Sequence, residues 1–312
     1  MKIHHQNPAK SNICALIISY HPEPSILKKI TETLKQVDRV VVVDNGSNDV
    51  ERQALLDASN QSDLVHLILN QNNLGQAKAL NIGIKYIKEQ NYRWVLTLDQ
   101  DSLMAVNMID CMSIAYQECD PQETVTSICP VLANYDGISI PPEDKIQLRS
   151  FSGEKIAGLY SPIKIAITSG NLINLDVFND IGFFEEDFFI DYVDQEFCLR
   201  LFQHGYRTIQ ANRAVLYHNI GNTTKHLFFG KPVLAANNSS IRSYYFYRNG
   251  VMTYKKYFFK DFVWVCQDLV RGFIFNLAKI ILFEADRKEK LNKICLGIGH
   301  GLINKSGMYT AK

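Results

Sequence analysis

Trp94-Val95-Leu96-Thr97-Leu98-Asp99-Gln100-Asp101 is an apolar run that leads straight into two carboxylates. Five residues bounded by polar segments are too few for a buried helix, so 94–98 is predicted to be a buried strand. Three similar runs precede it. Ile13-Cys14-Ala15-Leu16-Ile17-Ile18 ends in Ser19-Tyr20-His21-Pro22-Glu23-Pro24, whose prolines stop any extension. Val37 to Val43 ends in the turn Asp44-Asn45-Gly46-Ser47, and Leu64 to Leu69 is followed by Asn72-Asn73-Leu74-Gly75. Helices are predicted between them, from a Ser25 cap to about Gln36, near Val50 to Ser59, and from Ala77 to Glu89. This alternation predicts an α/β fold with a doubly wound, mostly parallel sheet. Ligands of such sheets gather beyond the carboxyl ends of the strands, so the turns after strands one, two and four are candidates for one site.

Downstream the pattern weakens. Val125 to Ile173 offers short strand-like pieces broken by Pro141-Pro142, Asp176 to Gln203 reads as helical in its second half, and Thr208 to Tyr217 is a strand leading to His218. Beyond Gly221 the chain is aromatic and basic, with a long apolar helix from about Asp261 to Phe283. The 312 residues therefore divide into an α/β domain over 1–235 and a C-terminal helical appendage over 236–312.

Lys and Arg number 33 against 32 Asp and Glu, a balance that excludes a dedicated nucleic-acid binder. The charge is unevenly placed: Ile241 to Lys293 holds eleven Lys/Arg and five Asp/Glu, which points to an anionic surface such as lipid. That stretch is too charged for a membrane span, and a helix in the membrane interface competes with one packed on protein or on a second copy. Seven cysteines without a CxxC pair suit a reducing compartment. The polar segment Met1 to Asn12 lacks the apolar core of a signal peptide, so a cytoplasmic protein is expected, peripheral on the inner membrane face where the appendage binds lipid.

Asp99 and Asp101, two apart at a strand end, can turn toward one hard cation, Mg²⁺ or Mn²⁺, that carries phosphate oxygens. Asp44 ends the second strand, where nucleotide binders present a carboxylate to base or ribose, although Asp-Asn-Gly-Ser is also simply a good turn. The first turn lacks GxGxxG, which disfavours a dinucleotide-binding domain. Asp191, Asp194 and Glu196 cluster at a predicted helix start near Tyr192 or Val193. Acids there complement the helix dipole, and one of them could instead take a proton from an acceptor hydroxyl. His218 is either a metal ligand or a surface histidine.

Five motifs in order carry a family resemblance: Ser19-Tyr20-His21-Pro22, Val43-Asp44-Asn45-Gly46-Ser47, Asn73-x-Gly75-x-Ala77-x-Ala79-x-Asn81-x-Gly83, Leu98-Asp99-Gln100-Asp101-Ser102, and Phe189-Ile190-Asp191-Tyr192-Val193-Asp194-Gln195-Glu196-Phe197. From Ile13 to Tyr257 the chain resembles the family 2 inverting glycosyltransferases of GT-A fold, and within them the bacterial rhamnosyltransferases of polysaccharide and O-antigen synthesis. The resemblance implies that Asp44 contacts the base, Asp99 the ribose, and Asp99, Asp101 and His218 a metal-diphosphate. It places Ser19, Tyr20, Asn73, Gly75 and Lys78 along the nucleotide donor and Ser169-Gly170-Asn171 along the donor sugar. Asp194 stands at the catalytic base of the family's acidic motif. The usual preceding acid is replaced by Val193, and Asp191 shares its work. His21 stands where this subgroup often has Asn. The implied donor is dTDP-rhamnose and the implied acceptor a lipid-linked saccharide. A UDP-hexose or UDP-galactofuranose donor uses closely similar residues. A sugar-1-phosphate nucleotidylyltransferase would need a Gly-rich basic loop after strand one, and a non-catalytic assembly scaffold would not need this set of carboxylates.

Overall fold

The structure is a computed structural model that describes residues 6–120, 122–134, 148–149, 158–218, 223–228 and 230–310. The Pro141-Pro142 break lies outside the described residues. The chain forms two compact units: one runs to Glu185 and resumes over Asp194–Asn219, and the other comprises Glu186–Val193 with the residues from Ile220 onward.

The first unit alternates as the hydrophobic runs dictate. Its opening half is β1 (Ile13–Ser19), α1 (Ile26–Leu34), β2 (Arg39–Asp44), α2 (Asp49–Gln61), β3 (Val65–Leu69), α3 (Gln76–Glu89) and β4 (Trp94–Asp99). There follow β5 (Leu103–Met104), α4 (Met108–Gln117), β6 (Val125–Asn134), β7 (Leu148–Arg149), β8 (Tyr160–Ile163), β9 (Asn171–Asn174), α5 (Val177–Asp180), α6 (Val193–Gln203) and β10 (Arg207–His218). Helix α1 is entered without the expected cap, since the Ser25 side chain makes no capping bond. Asn48 does cap α2, accepting from the Glu51 amide at 3.0 Å.

The sheet runs β3-β2-β1-β4-β9-β6-β10-β5, with β7 on β6 and β8 on β10. Strands β3, β2, β1 and β4 are parallel, as are β6 and β10, while β9 runs antiparallel between β4 and β6. Ile13, Leu16, Ile17, Val40, Val42, Trp94 and Leu96 are almost wholly buried, each large apolar side chain contributing about 2 kcal/mol. Small residues bring α3 against the sheet: a Cβ at Gly83 would meet Leu16 Cδ1 at 2.2 Å. Asn81 closes the same face, donating to the Phe184 carbonyl at 2.9 Å and accepting from its amide at 3.0 Å.

The second unit holds the hairpin β11 (Thr224–Phe228) and β12 (Lys231–Ala235), then α7 (Ser240–Tyr257), α8 (Phe262–Asp268), α9 (Phe275–Phe283) and α10 (Arg287–Leu302). The apolar helix expected from Asp261 to Phe283 is α8 and α9 joined by a π-helical segment at Leu269–Ile274. Among the described residues no helix is long and apolar enough to cross a membrane.

Candidate functional site

Parallel pairing lines up the carboxyl ends of the first strands. Ser19 stands opposite Asp44, and Ile18 opposite Asp99. The loops beyond these ends are tied together by side chains. Gln100 accepts from the Ser19 hydroxyl at 3.1 Å and from the Tyr20 amide at 2.9 Å, and it donates back to the Tyr20 carbonyl at 3.0 Å. Lys29, from α1, donates to the Gln100 carbonyl at 3.0 Å; burial pushes its pKa down while Asp101 and Glu23 oppose that shift.

Asp44 is wholly buried and engaged inside the protein. Arg52 Nε donates to Oδ2 at 2.8 Å, the Ser47 amide donates to Oδ2 at 3.1 Å, and the Ser47 hydroxyl bonds Oδ1. Ser47 Oγ also accepts from the His21 amide at 2.9 Å, and the His21 ring pairs with Glu51 at 2.5 Å. Asn45 bridges to the next turn: it donates to Asn73 Oδ1 at 3.0 Å and to the Gly75 carbonyl at 3.2 Å, and it accepts from the Leu74 amide at 3.0 Å. Asn73 and Gly75 therefore belong to the same loop lattice, while Lys78 is exposed on the first turn of α3.

Beyond β4 the chain turns through Gln100, Asp101 and Ser102 into β5, which pairs antiparallel with the end of β10 (Tyr217 opposite Leu103). That pairing sets His218 beside Asp101. Asp99, Asp101 and His218 each present a ligand atom within 4.8 Å of the others, all three residues being half-buried. His218 Nδ1 lies 3.6 Å from Asp101 Oδ1, too far for a hydrogen bond. Asp101 Oδ1 is buried and has no hydrogen-bond partner. A buried, unpartnered carboxylate oxygen costs free energy unless something compensates it. Two hard carboxylates with an imidazole form a donor set that Mg²⁺ or Mn²⁺ would complete, so these residues fit a divalent cation.

A hydroxyl pair supports this cluster. Ser102 Oγ lies 2.8 Å from His218 Nδ1 and 2.7 Å from Ser169 Oγ, and the Ser169 hydroxyl accepts from the Asp99 amide at 3.1 Å. Antiparallel pairing of β9 with β4 sets Thr97 opposite Asn171 and brings Ser169-Gly170 to the end of β4, where the Gly170 amide donates to the Thr97 carbonyl at 2.7 Å.

The third acidic cluster divides. Asp194 and Glu196 occupy the first turn of α6 in the first unit. Glu196 is fully buried on Arg200, which donates to its two oxygens at 3.1 and 2.8 Å and to the carbonyls of Ile181 and Phe183, a structural engagement. Asp194 Oδ1 accepts from the Gln195 amide at 2.9 Å. Asp191 belongs to the second unit. There it pairs with Arg242 at 3.2 Å, and burial pushes its carboxyl above the usual range, with Arg242 opposing the shift. Asp191 and Tyr192 both hold left-handed backbone, φ 63° and 61°, a conformation that costs non-glycine residues energy and persists only where neighbours hold it. Asn249 supplies that hold, reaching the carbonyls of Phe188, Ile190 and Asp191 at 2.7 to 2.9 Å. Sequence reasoning missed Asn249, although the polar Arg248-Asn249 in an aromatic helix was a signal, and it missed Ser102, which stands directly after the acidic pair.

A family model described as glycosyl transferase family 2 matches residues 14–182. The chain is 32% identical over 287 residues to the dTDP-rhamnosyl transferase RfbF of Shigella flexneri, covering 90% of this chain and 91% of that one. It is 25% identical over 312 residues to the low-salt glycan biosynthesis hexosyltransferase Agl10 of Haloferax volcanii, covering 97% and 94%. Among solved structures, GalNAc-T7 with UDP, GalNAc and Mn²⁺ superposes with a TM-score of 0.59 at 15% identity over 81% of this chain, which spans about half (49%) of that one. The mannosyltransferase PcManGT of Pyrobaculum calidifontis, in complex with GDP-Man and Mn²⁺, gives 0.58 at 14% identity over 95% of this chain and 77% of that one. At such identities the likeness is one of fold: mixed α/β, GT-A, with C-terminal helices.

Proposed function

The chain belongs to glycosyl transferase family 2, and we propose that it transfers L-rhamnose from dTDP-rhamnose, with inversion, to a hydroxyl of a growing, lipid-linked cell-surface glycan. The observation that carries this reading is the Asp99, Asp101 and His218 cluster with its orphaned Asp101 oxygen, in a chain whose relatives include the dTDP-rhamnosyl transferase above. Asp99, Asp101 and His218 would hold Mg²⁺ or Mn²⁺. A bound cation offsets charge on the departing diphosphate.

The remaining roles fall to the protein's own groups. Ser19, Tyr20, Asn73, Gly75 and Lys78 line the nucleotide, and Ser169 and Gly170 the sugar. Asp44 acts on the base through the loop that it holds. Asp194 accepts the proton of the acceptor hydroxyl as that oxygen bonds to the anomeric carbon and the diphosphate leaves from the opposite face. Asp191 supports Asp194. Residues 1–235 form the transferase domain and 236–312 its accessory region, on the cytoplasmic side of the membrane.

A second reading keeps the same residues and replaces the donor with a UDP-hexose or UDP-galactofuranose; a hexosyltransferase is among the relatives of this chain. Thermal stability against dTDP-rhamnose, UDP-sugars and GDP-mannose, each with Mn²⁺, Mg²⁺ or EDTA, separates the two. A ligand at a hundred times its dissociation constant adds about 2.7 kcal/mol. A shift that requires metal and is selective for dTDP-rhamnose supports the first reading; one selective for a UDP-sugar replaces it with the second. No shift with any nucleotide overturns both and favours a non-catalytic scaffold.

A further inference from the structure

The second unit carries a stripe of apolar side chains that are exposed among the described residues. Along α8, the π-helical segment and α9, Val263, Val270, Ile274 and Ile281 are 65%, 44%, 53% and 43% exposed. Their intervals of seven, four and seven residues keep them on one side of the run. The adjoining Trp264, Val265, Phe273 and Ile280 are buried. The stripe widens at its leading end, where Phe259 is 95% and Phe262 55% exposed. At its far end the β11–β12 hairpin extends it: Phe228 packs edge-on against Phe283, beside the exposed Leu227. A continuous apolar surface of this kind marks an interaction site.

The charges beside it select the partner. Every acid between Lys255 and Glu284 is engaged within the protein. Asp261 accepts from the Trp264 amide at 3.3 Å, and Asp268 accepts from the Tyr192 and Tyr254 hydroxyls at 2.6 and 2.7 Å. Glu284 is buried on Lys290 at 2.8 Å. Arg271 is exposed between Val270 and Ile274, and the exposed Lys256 and Lys260, which also have contacts within the protein, reach over the Tyr257 ring at 5.8 Å, next to Phe259. A two-fold contact between copies would set this basic fringe against itself. An anionic bilayer meets both requirements, taking the aromatic and aliphatic side chains at the acyl boundary and the basic side chains at the headgroups.

We infer that this face of the second unit docks on an anionic lipid surface, with Phe259 and Phe262 inserted and Arg271 at the headgroups. The inference deepens the functional reading above by supplying a surface for a lipid-linked acceptor. Its test contains no sugar donor, so failure of transfer and failure of docking are read separately. The full chain is floated with vesicles of phosphatidylcholine alone and of phosphatidylcholine with phosphatidylglycerol. Binding is expected only to the anionic vesicles, weakened about fivefold by Arg271→Gln and on the order of a hundredfold by Phe259→Ser with Phe262→Ser. All these side chains are exposed, so the melting temperatures of the variants should match that of the wild type. Equal binding to both vesicle types, or unchanged flotation of the double variant, overturns the inference. So does a chain that ignores vesicles and forms a dimer, by light scattering, that the double variant abolishes.

Discussion

The hydroxyl of Ser102 lies 2.8 Å from Nδ1 of His218, with the Ser169 hydroxyl 2.7 Å behind it. A histidine that ligates a metal through one ring nitrogen is oriented by what the other nitrogen contacts. In the proposed site Nε2 would face the cation while Ser102 orients the ring through Nδ1, the nitrogen that also lies 3.6 Å from Asp101 Oδ1. Ser102→Ala should weaken Mn²⁺ binding about 10- to 100-fold, read by titration of the protein with Mn²⁺ in the presence of nucleoside diphosphate, while melting shifts by only about 1 kcal/mol. Unchanged Mn²⁺ affinity would mean that His218 is not held for a cation by this hydroxyl.

Asp194 sits in the first turn of α6, at the end of a helix that accommodates negative charge. The proposed role requires that charge at the acceptor and not at the donor. Asp194→Asn should lower transfer about 10²- to 10⁴-fold while the metal-dependent thermal shift with the donor persists. Wild-type turnover by this variant would remove Asp194 from the chemistry, and loss of the donor shift would move it to the donor side.

Gly46 lies in the turn after β2 at φ +95°, and a Cβ there would meet the Asn72 backbone carbon at 2.5 Å. Backbone cannot yield as a flexible side chain can. Gly46→Ala should cost about 1–3 kcal/mol of strain and push the Asn72–Gly75 turn off Asn45, so donor binding should weaken more than the melting temperature falls. A variant with normal donor affinity would show that this turn does not contribute to the donor site.

The first four strands were legible because each is a short β-branched run closed by turn residues, and the Asp-x-Asp pair was legible because it ends one of them. The Asn73 to Gly83 motif was recognisable as a pattern, but its reason was not. Gly83 is small because α3 lies on the sheet at Leu16, Ala77 and Ala79 are wholly buried, and Asn81 satisfies the Phe184 backbone 103 residues away. No local signal gives a partner at that distance. The same holds for His218, which reaches Asp101 only because two-residue β5 pairs with the end of β10. Asp44 reads as a strand-end carboxylate facing a base or ribose, or as part of a turn; its pairing with Arg52, eight residues on, is not legible there. The division of Asp191 from Asp194 into separate units, three residues apart, could not be read from a run of acids.

Burial raises the carboxyl pKa of Asp191, and the neighbouring Arg242 opposes that shift without cancelling it. The folded chain therefore binds this proton more tightly than the unfolded chain, where aspartate titrates near about 3.9. The stability that this group contributes is fully present below about pH 4 and is lost as pH rises through the raised folded value. Asn is neutral throughout, so the melting temperature of Asp191→Asn relative to wild type should rise as pH climbs above about 4 and level off once pH passes the raised folded value. Arg242→Gln removes the opposing charge of its ion-pair partner and should move that window upward. Melting curves of the three proteins across this range decide the balance. A wild type that gains on Asp191→Asn as pH rises would show that the attraction of Arg242 outweighs burial.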